Sequence, residues 1–100
     1  MSSLMPKMSK IINSNNYLIR QKILVIIDKT ANNVGRSVLS EYLHVVTTLL
    51  SDKTPNIRML AMKVAGSKPI LLDKKIETQL LKLKDDKDME VRQTAKLVTA

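Results

Sequence analysis

Apolar residues recur along this chain at steps of three and four, and they do so in six separate stretches. Leu4, Met5, Met8, Ile11 and Ile12 predict a short first helix, with Pro6 tolerated in its opening turn. Asn13, Ser14, Asn15 and Asn16 form a turn cluster whose side chains can cap the next helix. Ile19, Ile23, Ile26, Ile27 and Thr30 mark a second helix that stops near Asn32-Asn33-Val34-Gly35. Leu39, Tyr42, Leu43, Val46, Leu49 and Leu50 form the cleanest stripe and predict a third. Pro55 suits the first turn of a fourth, carried by Ile57, Leu60, Ala61, Val64 and Ala65. Ile76, Leu80 and Leu83 mark a fifth. Val91, Thr94, Ala95 and Val98 mark a sixth, with Asp86, Asp88 and Glu90 at its opening, where the helix dipole favours negative charge. No strand pattern competes, because the β-branched run Ile23 to Ile27 lies inside a longer helical period. The expected class is all-α.

A short phrase opens alternate helices. It reads Asn16-Tyr17-Leu18-Ile19-Arg20, then Pro55-Asn56-Ile57-Arg58, then Met89-Glu90-Val91-Arg92. The later two copies carry an acid six residues before the arginine (Asp52, Asp86) and an alanine three residues after it (Ala61, Ala95). The arginines lie 38 and 34 residues apart. Self-similarity at such a period predicts stacked supersecondary units, hence an α-solenoid of three helix-turn-helix repeats rather than a six-helix bundle. The whole chain, 1–100, is one array with units of about 1–35, 36–72 and 73–100. In such an array each arginine can bond the acid of the neighbouring turn, making a ladder. Ala61 and Ala95 are expected where helices approach closely.

Composition narrows the chemistry. With 44% hydrophobic and 26% charged residues the chain is globular, and without cysteine it has neither disulfides nor thiolate metal sites. Its longest aliphatic run, 23–27, is far short of the roughly 20 residues that span a bilayer, and its start lacks the grammar of a signal peptide. A cytoplasmic protein, with the nucleus as a second compartment, is expected. Seventeen bases against nine acids give a net charge of +8, which invites an anionic partner such as nucleic acid. The excess is split evenly between the halves; the densest acid-free set is Lys53, Arg58, Lys63 and Lys68, a candidate face of one helix. A solvated helix surface is the plainer reading of it.

Nothing in the chain supports catalysis. His44 is the sole histidine, and one histidine makes neither a zinc site nor a convincing general base. Gly35 and Gly66 stand alone, so there is no phosphate loop. Asp85 and Asp86 are expected in a solvated turn, and the methionines as core filler. No enzyme activity, cofactor or metal is expected. Of the two tyrosines, Tyr42 belongs to an apolar stripe, whereas Tyr17 sits at a turn and is a candidate contact anchor.

The turn phrase, Asp-x-x-x-x-Ile/Val-Arg-x-x-Ala, resembles the HEAT repeat. More narrowly, the chain is similar to the carboxy-terminal repeats of the scaffold (A, regulatory) subunits of type 2A protein phosphatases. The similarity runs from Met5-Pro6-Lys7 and Asn16-Tyr17-Leu18-x-Arg20 through Pro55-Asn56-Ile57-Arg58, Lys63 and Pro69-Ile70-Leu71-Leu72-Asp73. It ends with Leu81-x-Leu83-x-x-Asp86-x-Asp88-x-x-Val91. The resemblance implies a non-catalytic scaffold that holds the phosphatase catalytic subunit through its inter-helix turns. By position it nominates Asn16, Tyr17, Pro55, Asn56, Asp88 and Met89 as contacts, with Arg20 and Arg58 beside them. The regulatory subunits are held in that family by upstream repeats that have no counterpart here. A basic HEAT-like module binding a polyanion is the alternative function. Apolar residues at both ends of the array, Leu4, Met5 and Met8 at one and Val91, Leu97 and Val98 at the other, predict self-association or marginal stability.

Overall fold

The computed structural model describes residues 15–99. Its elements are helical throughout: α1 (Tyr17–Thr30), α2 (Arg36–Leu49), α3 (Pro55–Ser67), α4 (Lys74–Lys82) and α5 (Met89–Val98). Single 3-10 turns extend three of them, at Ala31–Asn33, Pro69–Leu71 and Leu83–Asp85. The first helix expected, over Leu4 to Ile12, lies outside the described residues.

Local chemistry sets the starts. The Asn16 side chain accepts the Leu18 N–H at 2.9 Å and opens α1. Asp73 accepts from Ile76 at 2.9 Å and Asp88 from Val91 at 3.1 Å, opening α4 and α5. Each side chain satisfies one of the N–H groups that a helix start leaves without an internal acceptor. Pro55 opens α3 at a position where its missing N–H costs nothing.

The helices pack in two rows. In one, α3 lies between α1 and α5; in the other, α2 and α4 lie side by side, with α2 also against α3. The molecule measures 40 × 29 × 19 Å, and its thinnest dimension matches two helix diameters of about 10 Å each. Between the rows lies a core that includes Leu24, Ile27, Val45, Leu49, Ile57 and Met62, all at most 1% exposed. The turn at Pro69–Leu71 adds Leu71, which is fully buried.

The apolar stripes match the buried faces best in α4 and α5. In α2 Val45 is fully buried while Leu39 and Leu43 are half-buried, and in α3 Met62 is fully buried while Leu60 is half-buried. The largest departure is in α1. There Ile19 and Ile26 are 41% and 45% exposed, whereas Leu24 is fully buried. The inward face of α1 is Arg20, Ile23, Leu24 and Ile27, rotated from the expected stripe because an arginine occupies one of its positions. Tyr42 is core, as expected, and its hydroxyl shares a 2.8 Å hydrogen bond with Thr30 Oγ1. Ala61 and Ala95 are both fully buried. The methionines divide: Met62 fills the core, but Met89 is 60% exposed.

Candidate functional site

The turn phrase builds a ladder. Arg20, one turn into α1, reaches the segment before α3: its Nε lies 2.8 Å from Asp52 Oδ1 and its Nη2 donates to Asp52 Oδ2 at 3.2 Å. Nη2 also donates to Thr54 Oγ1 at 3.2 Å. Asp52 in turn accepts the Thr54 backbone N–H at 2.9 Å, an Asx turn that holds its carboxylate in place. The rung recurs one unit on. Arg58 Nη2 donates to Asp86 Oδ1 at 3.1 Å, its Nε lies 3.1 Å from Oδ2, and Asp86 accepts the Asp88 N–H at 2.9 Å. The Nε–H of both arginines points off the line of its carboxylate, so that half of each contact is ionic rather than a hydrogen bond.

A second bond makes the ladder continuous. Arg58 Nη1 donates to the Asp52 carbonyl at 2.6 Å, and Arg92 Nη1 donates to the Asp86 carbonyl at 2.8 Å. Asp52 is therefore gripped by Arg20 through its side chain and by Arg58 through its backbone. Asp86 is gripped likewise by Arg58 and Arg92. The bonds join equivalent points at the starts of α1, α3 and α5, so these helices run parallel with their first turns along one edge.

This geometry bears on three expectations. Arg20 and Arg58, nominated beside the contacts, are only 3% and 6% exposed, with their guanidinium groups engaged inward. They form the ladder that the repeated phrase predicts. Asp85 is exposed as expected, but the Asp86 side chain is 11% exposed and ion-paired, so the acidic turn is only half solvated. Lys53, Arg58, Lys63 and Lys68 share no helix face. Lys53 and Lys68 lie outside α3, Arg58 is buried, and a five-residue step turns about 140° around a helix.

The remaining nominated residues line the edge. Asn16 and Asn56 are exposed, Tyr17 is 47% and Met89 60% exposed, and Pro55 and Asp88 are half-buried, Asp88 as the α5 cap. Leu18, 55% exposed, lies beside Tyr17, a surface position that the sequence pattern does not single out. His44 is exposed on α2. Among the described residues no group of His, Asp or Glu is arranged to hold a metal ion, and no helix is long and apolar enough to cross a membrane. No protein family, curated protein or solved structure matches this chain.

Proposed function

We infer that this chain is a non-catalytic protein-binding module: an α-solenoid of three HEAT-like repeats that presents its inter-helix turns to a partner. The observation that carries this reading is the ladder. Buried arginines tie successive turns together, and the exposed residues Asn16, Tyr17, Asn56 and Met89 lie at the helix starts that those turns lead into. A prealigned edge loses little conformational freedom on binding, which favours recognition through turns. Tyr17 is the proposed anchor, an amphipathic side chain half in solvent with Leu18 beside it.

The sequence resemblance supplies the proposed partner, the catalytic subunit of a type 2A phosphatase. The test is binding of the purified chain to that subunit at about 150 mM salt beside a duplex DNA control. Retained binding that Tyr17→Ala weakens about 5- to 30-fold supports the reading, since an anchor is worth about 1–2 kcal/mol. Wild-type affinity in the variant removes Tyr17 from the interface.

A second reading rests on a separate feature. Lys74, Lys75 and Lys82 surround an open groove of about 340 Å³ between α2 and α4, with Thr47, Thr78 and Gln79 and no acid in its lining. A polyanion is the partner such a groove would suit. Its binding would collapse between roughly 50 and 200 mM salt, whereas turn-anchored protein binding would persist.

A further inference from the structure

We draw no further inference here: the strongest candidate, the groove between α2 and α4 that Lys74, Lys75 and Lys82 surround, already stands as the second reading of the function, and the one observation beyond its charge, the unpartnered Oε1 of Gln79 in its lining, is a buried atom that points to no ligand.

Discussion

Replacing Arg58 by alanine should destabilise the chain far more than the same change at Arg92, although the two arginines occupy the same place in one repeated phrase. Arg58→Ala removes an ion pair whose side chains are 7% and 11% exposed, together with a 2.6 Å bond to the Asp52 carbonyl. Stranding one member of a buried pair costs about 3–5 kcal/mol. The lower end applies here, because Asp86 keeps its bond from the Asp88 N–H and its side chain retains some water. We therefore expect about 3 kcal/mol, or a midpoint lowered by roughly 10–20 °C in a chain of this size. Arg92→Ala removes one bond to a carbonyl and should cost about 1 kcal/mol. Arg20→Ala should fall near Arg58, since it strands Asp52. Urea unfolding followed by circular dichroism measures all three, with m-values compared so that a change in cooperativity is not read as a change in stability. The cycle of Arg58→Ala with Asp86→Ala should give a coupling of about 1–3 kcal/mol. Equal losses at Arg58 and Arg92, or a coupling near zero, would refute the ladder as the element that holds the turns in register.

Single contacts give further expected outcomes. Asp88→Ala, which removes the cap on α5, should cost about 1 kcal/mol, while exposed Asn56→Ala should change stability by less than about 0.5 kcal/mol; urea midpoints compare them. Tyr42→Phe breaks the 2.8 Å bond to Thr30 Oγ1 with the ring kept in place, and thermal unfolding should record a loss of about 1 kcal/mol. At Gly66 a Cβ would meet Val98 Cγ1 at 2.7 Å. Alanine there should gain nothing in the wild-type chain. In a Val98→Ala background it should stabilise by about 0.5–1 kcal/mol, the usual benefit of replacing a helical glycine, and a gain of that size in both backgrounds would show that the close approach is relieved freely.

The repeated phrase makes much of the candidate edge legible in the sequence. Asn16 and Asp88 are readable as caps because a short polar side chain before an apolar period has a local role that needs no distant partner. Likewise, Asp52 and Asp86 can be matched to neighbouring arginines because a constant period implies a constant displacement in space. The division of roles among the nominated residues is not legible. Arg20 and Tyr17 are three positions apart in one phrase, yet one is buried and the other is exposed. The misplacement of Ile19 and Ile26 has the same origin: hydrophobicity alone cannot indicate that a charged side chain will take an inward position when a carboxylate waits there.

Sequence by itself therefore determined the five described helices and the period of the repeated phrase, because capping and hydrophobic spacing act within a few residues of themselves. Tertiary structure decided which side of each helix became its inner face and which arginine became a complete rung. Those outcomes depend on groups about 30 residues away meeting in space, as Arg20 meets Asp52 and Arg58 meets Asp86 at separations of 32 and 28. Arg92 has the same local sequence signature and no such counterpart among the described residues. Only packing separates an arginine that joins two turns from one that bonds its own turn alone.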